Sequence, residues 1–173
     1  MLMRLFLTGF MGAGKTTVGE HLGRLLGVPF LDLDLEIERR RGETVREIFA
    51  RYGEPAFRRL EIEVLAELME QERFVLATGG GTMASDTAAR MLRGGGLSIW
   101  LNPAFVTIVS RIGGRGKLDR PLFRDEEQAL ALYRSRLPAY RRSDLTVDVG
   151  PGESAEEVAA RISLLLAERR CAI

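Results

Sequence analysis

Cysteine and histidine are almost absent from this chain, with Cys171 and His21 the single examples of each. One cysteine cannot close an internal disulfide, and one of each cannot build a zinc cluster. A disulfide-stapled scaffold and a Cys/His metal module are therefore excluded, and a reducing compartment is the simplest setting. An excess of either charge is missing as well. Lys and Arg total 25 against 24 Asp and Glu, with pI near 7.9, which gives no electrostatic footing for nucleic acid or an anionic membrane. No apolar run reaches membrane-spanning length. The apolar opening, Met1 to Phe10, carries an arginine and runs into a glycine loop with Lys15 instead of a cleavage region, so it is not read as a secretory leader. A soluble, cytoplasmic protein is expected. Lysine is the last scarcity. Only Lys15 and Lys117 occur among the 25 basic residues, so a lysine here calls for a chemical reason.

What remains is ordinary in bulk and specific in pattern. The 173 residues, 46% hydrophobic and 28% charged, suit one α/β domain spanning 1–173. Five short apolar runs read as strands: Met3 to Thr8, Val28 to Asp32, Phe74 to Thr78, Leu97 to Leu101 and Leu145 to Val149. Helical patterns alternate with them. One covers Lys15 to Leu26. Two or three more lie between Asp34 and Glu72, broken at Arg41-Gly42 and at Tyr52 to Pro55. Others run from about Ser85 to Arg93, from Pro103 to about Ile112 and from Ala155 to Arg169. The alternation predicts a three-layer α/β/α fold around a central parallel five-stranded sheet, with ligands at the strand ends.

Three strands end in chemically pointed residues: Thr8-Gly9, Asp32 with Asp34, and Thr78-Gly79. The first opens Gly9-Phe10-Met11-Gly12-Ala13-Gly14-Lys15-Thr16, which fits G-x-x-x-x-G-K-[ST] between a strand and a helix. Glycines let the backbone close around phosphate, and the amides of Gly12 to Thr17 with the helix N-terminus supply positive potential. Lys15 reaches the β- and γ-phosphates and the Thr16 hydroxyl ligates Mg²⁺, making ATP the expected co-substrate. No acid closes the third strand, so the acids are sought at Asp32-Leu33-Asp34. In an extended segment both carboxylates face one side. One would support the metal through water and the other take a proton from an attacking hydroxyl. The ordinary alternative makes Asp34 the N-cap of the following helix.

With these pieces in place, the motif series is familiar. The loop above, Asp32-x-Asp34, Gly53-Glu54-x-x-Phe57-Arg58-x-x-Glu61, Thr78-Gly79-Gly80-Gly81, Arg120-Pro121 and Arg136-x-Pro138-x-Tyr140 together resemble the shikimate kinase family, in order and over essentially the whole chain. The resemblance implies the nucleoside-monophosphate-kinase type of P-loop fold, with a helical substrate-binding region at about 33–61 and a lid at about 112–124. It implies phosphorylation of the 3-hydroxyl of shikimate by MgATP, on the route to chorismate and the aromatic amino acids. Asp34 would then activate the hydroxyl, and Arg58 and Arg136 would grip the carboxylate. Glu61, one helical turn from Arg58, would orient it. Gly79, Gly80 and Gly81 would line the ring, Thr16 and Asp32 would support magnesium, Arg120 would reach the transferring phosphate and Arg111 would pack near adenine. A monomer is expected. Glycines 113, 114 and 116 read as lid hinges, and no role is assigned to Lys117. His21, Trp100 and the leucines at 164–166 are expected to be structural, the leucines as core. The alternatives are a gluconate or nucleotide kinase of the same fold, or a nucleotide-binding regulator without catalysis.

Overall fold

The computed structural model describes residues 3–113 and 126–171. Its elements, in chain order, are β1 (Met3–Thr8), α1 (Lys15–Leu26), β2 (Phe30–Asp32), α2 (Leu33–Arg41), α3 (Val45–Leu68), β3 (Arg73–Ala77), a 3-10 turn (Thr82–Ala84), α4 (Asp86–Gly95), β4 (Leu97–Pro103), α5 (Phe105–Gly113), α6 (Glu126–Tyr140), β5 (Leu145–Val149) and α7 (Ala155–Cys171). The five strands form one parallel sheet, as the alternation of runs predicts, and lie in the order β2-β3-β1-β4-β5.

Period-two alternation along the strands divides the core into two layers. Phe6, Phe74, Leu76 and Trp100 point to the face covered by α2 to α6, where Leu33, Ile37, Ile48, Leu65, Met83 and Tyr140 are fully or nearly fully buried. Leu5, Leu7, Val75, Ile99 and Leu101 point the other way, onto α1 and α7. Leu22 of α1 is completely buried there. Burying such a side chain is worth about 1.5–3 kcal/mol and pins the helix that follows the phosphate loop.

Boundaries move where backbone hydrogen bonds are already committed. The second strand begins at Phe30 instead of Val28, because the Val28 N–H closes the end of α1 by donating to the Gly23 carbonyl (3.0 Å). Pro103 does not start a helix. It is the last residue of β4, in register with Val149, and α5 begins at Phe105. The helical region between β2 and β3 is two helices. Gly42 ends α2 in the left-handed conformation (φ 66), and Thr44 opens α3 with a capping box to Glu47. The expected break near Pro55 is a kink inside α3 at Gly53, whose φ of 79 only glycine adopts without strain. Helix α6 was not foreseen, since Pro138 lies inside it and its apolar positions give no clean stripe. Of the 164–166 leucines, Leu165 and Leu166 pack on the second core layer but Leu164 is 66% exposed.

Candidate active site

The phosphate loop joins β1 to α1, and its last glycine is the N-cap of that helix. Gly14 sits there at φ 100, no side chain caps the helix, and its first turn contains no acid. An uncapped, acid-free N-terminus leaves donors and positive potential for an anion. Lys15 curls back over the loop, its Nζ donating to the carbonyls of Gly9 (2.8 Å) and Phe10 (3.0 Å). Arg111 at the end of α5 lies across the other side and donates from Nη1 to the Ala13 carbonyl at 3.2 Å. Beside it opens a cleft of about 250 Å³, lined by Gly14, Thr17, Arg111, Val149, Glu153 and Val158 among others. The β5–α7 loop bordering this cleft carried no sequence signal and was missed. Gly150 and Glu153 shape it, the Gly150 N–H donating to the Glu153 carboxylate, which also holds Arg161.

The two acids are arranged differently from the extended pair expected. Asp32 ends β2 and itself caps α2, its Oδ1 accepting from the N–H groups of Asp34 (3.1 Å) and Leu35 (3.3 Å). Its Oδ2 accepts from the Thr16 hydroxyl at 2.9 Å, tying the cap to the phosphate loop. Asp34 is therefore not the N-cap. It lies in the first turn of α2, and its half-buried carboxyl is pushed up to about 6. Burial is the main cause, the negative neighbours Asp32, Glu61 and Glu38 add to it, and Lys15 opposes it.

The triple glycine after β3 brings distant segments together. A Cβ at Gly79 would lie 3.0 Å from Asp34 Oδ1 and 3.2 Å from Glu61 Oε1. At Gly80 it would lie 3.2 Å from Arg136 Nη1 and 3.6 Å from the Met11 amide of the phosphate loop. At Gly81 it would stand 2.3 Å from Arg58 Nη2. Three residues without side chains thus allow an acid and two arginines to converge next to the phosphate loop. Arg58 is held from both ends. Its Nη1 donates to Glu61 (2.8 Å), and its Nε and Nη2 donate to the exposed Glu54 (3.2 and 3.0 Å). Glu61 is fully buried, and its second oxygen accepts from the Thr82 hydroxyl at 2.6 Å. Arg136 stands over the Phe10 ring, 5.7 Å from its centroid.

Lys15, Thr16, Asp32, Asp34, Arg58, Glu61, Gly79 to Gly81 and Arg136 therefore surround one region, with Arg111 across the glycine loop beside it. Arg120 and Lys117 lie outside the described residues. Thr82 joins the constellation without having been singled out, and Glu54 and Tyr140, which belong to the motif series but carry no expected role, take hydrogen-bonding places in it.

A family model for shikimate kinase matches residues 11–167. The chain belongs to the shikimate kinase family. A shikimate kinase of Cereibacter sphaeroides is 45% identical over 166 residues, covering 94% of this chain and 82% of that protein. The family member from Aquifex aeolicus is 37% identical over 166 residues, covering 95% and 96%. Among solved structures, shikimate kinase from Acinetobacter baumannii in complex with shikimate superposes with a TM-score of 0.91 at 36% identity, covering 98% of this chain and 95% of that one.

Proposed function

We propose that this chain transfers the γ-phosphoryl group of ATP to the 3-hydroxyl of shikimate, giving shikimate 3-phosphate and ADP. The observation that carries this reading is the glycine run between the phosphate loop and the cluster of Asp34, Arg58 and Arg136. An acceptor there meets a base and two forked cations on one side and the phosphates on the other. Family membership supports the choice of acceptor.

ATP lays its phosphates along Gly12 to Thr17, with the nucleoside in the cleft beside Arg111. Lys15 exchanges its two loop carbonyls for the β- and γ-phosphate oxygens. Arg58 and Arg136 take the acceptor carboxylate, a planar group that a guanidinium fork matches better than an ammonium. Glu61 and Thr82 keep Arg58 in place. Asp34 accepts the hydroxyl proton as the oxygen–phosphorus bond forms and the bond to the β-phosphate breaks, with ADP as leaving group.

Mg²⁺ fits the oxygens of Thr16 and Asp32. Asp32 Oδ1 is occupied by its helix cap and Oδ2 holds the Thr16 hydroxyl, and among the described residues no group of three or more His, Cys, Asp or Glu side chains could hold a metal ion. Such a sparse site suits a cation that keeps water and phosphate ligands. When bound, the ion would neutralise charge on the phosphates. Arg120 is assigned to the transferring phosphate from the lid. The protein is proposed to act as a cytoplasmic monomer. No described helix is long and apolar enough to cross a membrane.

ADP release from MgATP, with shikimate, gluconate and nucleoside monophosphates offered separately, tests the assignment. Turnover with shikimate alone is expected. Turnover only with another acceptor would overturn the acceptor site while leaving the phosphate loop untouched.

A further inference from the structure

Tyr140 has no part in the chemistry above, yet its hydroxyl reaches the acceptor end from the core. Its ring is fully buried and stacked on Trp100, 5.9 Å between centroids and 30° between planes. It follows Arg136 by four residues on α6, one turn on and on the same face. The hydroxyl donates to the Gly80 carbonyl at 2.5 Å, and the Arg136 guanidinium lies beside the same phenol oxygen. Burial pushes this phenol up to about 12, so it remains a donor throughout the neutral range.

We propose that Tyr140 is a positioning residue for the acceptor, fixing the Gly80 peptide and the Arg136 guanidinium in one arrangement. A planar trans peptide points its carbonyl and the next N–H in opposite directions. Turning the Gly80 carbonyl toward α6 therefore turns the Gly81 N–H away from it, and that amide has no acceptor among the described residues. The same hydroxyl limits where Arg136 can swing. A tyrosine serving only to fill the core and satisfy a buried carbonyl would affect stability without any preference among acceptors. The inference rests on the reading of Arg136 as a carboxylate ligand.

The test is Tyr140→Phe, which keeps the ring and removes the hydroxyl, assayed beside Arg136→Lys and Trp100→Phe. Shikimate and its neutral methyl ester are compared, the ester as substrate or competitive inhibitor. Tyr140→Phe is expected to raise the KM for shikimate about tenfold, while kcat and the KM for ATP stay within about twofold. The ester, which lacks the charge that Arg136 holds, is expected to lose no more than about twofold. Trp100→Phe, which weakens the stack but leaves the hydroxyl, should show no bias between the two acceptors. Equal losses with shikimate and ester, or a change in thermal stability alone, would overturn the positioning role. If Arg136→Lys raises the KM for shikimate and Tyr140→Phe does not, the Tyr140 inference fails by itself. If neither raises it, the carboxylate assignment of Arg136 has failed.

Discussion

The phosphate end and the acceptor end of this site are built from different material. The phosphate end is one unbroken stretch, Gly9 to Thr16, working through backbone groups, an uncapped helix N-terminus and one lysine. The acceptor end is assembled from α2, α3, the triple glycine and α6, and is held by side-chain bonds: Thr82 to Glu61, Arg58 to Glu61, and Tyr140 to the Gly80 carbonyl. The first needs only a local conformation. The second needs the whole fold to bring its parts within contact, and its buried carboxylate orients an arginine that a surface placement would leave loose. Substitutions at the acceptor end should therefore separate shikimate recognition and chemistry from nucleotide binding.

The largest separation is expected at Asp34. Asp34→Asn keeps the shape of the first turn of α2 but removes the proton acceptor. Phosphoryl transfer should fall by about 10²–10⁴ in kcat, while ATP affinity, measured by calorimetric titration, changes little. Turnover near that of the parent would remove Asp34 from the base role. Next comes Arg58→Lys, which keeps the charge but loses the fork and cannot serve Glu61, Glu54 and a carboxylate together. It should weaken shikimate binding by about 10–100-fold and ATP binding far less. Equal losses for the two ligands would erase the distinction between the ends.

The same contrast explains what could be read from the chain. Gly9 to Thr16 was legible because its chemistry is contiguous and its strand and helix are adjacent in sequence. The five strands and their parallel arrangement followed from the alternation of short apolar runs with helices. The residues proposed for the acceptor were pointed to only by the family's motif series, because nothing local marks Arg58 above its exposed neighbour Arg59. Asp32 and Asp34 were assigned to the site but with the wrong backbone. The chain turns into α2 immediately after Asp32, so Asp32 caps the helix and the two acids do not share an extended face. Thr82, the β5–α7 loop and the bond that Tyr140 makes to Gly80 were not legible, since their parts come from partners distant in sequence.

A smaller effect should come from Gly81→Ala. Gly81 has φ −103, a value open to any residue, so no backbone strain follows. The new Cβ would meet Arg58 Nη2, the far end of a flexible side chain, which can move aside. The fold should survive, with some loss of thermal stability as Arg58 gives up its bond to the buried Glu61. Displacing Arg58 should nevertheless raise the KM for shikimate by about tenfold with little change for ATP. An unchanged KM for shikimate would mean that Gly81 serves packing and not ligand approach.

The smallest effect concerns what the acceptor end costs the fold. Asp34 titrates at about 6 in the native protein against 3.8 ordinarily, so between those values the folded chain binds more protons than the unfolded one. Stability relative to a neutral residue is thus fully present below pH 3.8 and lost as pH rises through about 6. The upper bound of the penalty is about 3 kcal/mol, and partial solvent access reduces it. Asp34→Asn should therefore stabilise the ligand-free protein at pH 8 by about 1–3 kcal/mol, with the gain disappearing near pH 4, as urea unfolding at the two pH values would measure. In the parent enzyme the same group should limit kcat/KM for shikimate on the acid side, with an apparent pKa of about 6. A variant no more stable than the parent at pH 8 would mean that Lys15 compensates Asp34 fully, and the strained carboxylate would then not be a property of the resting acceptor end.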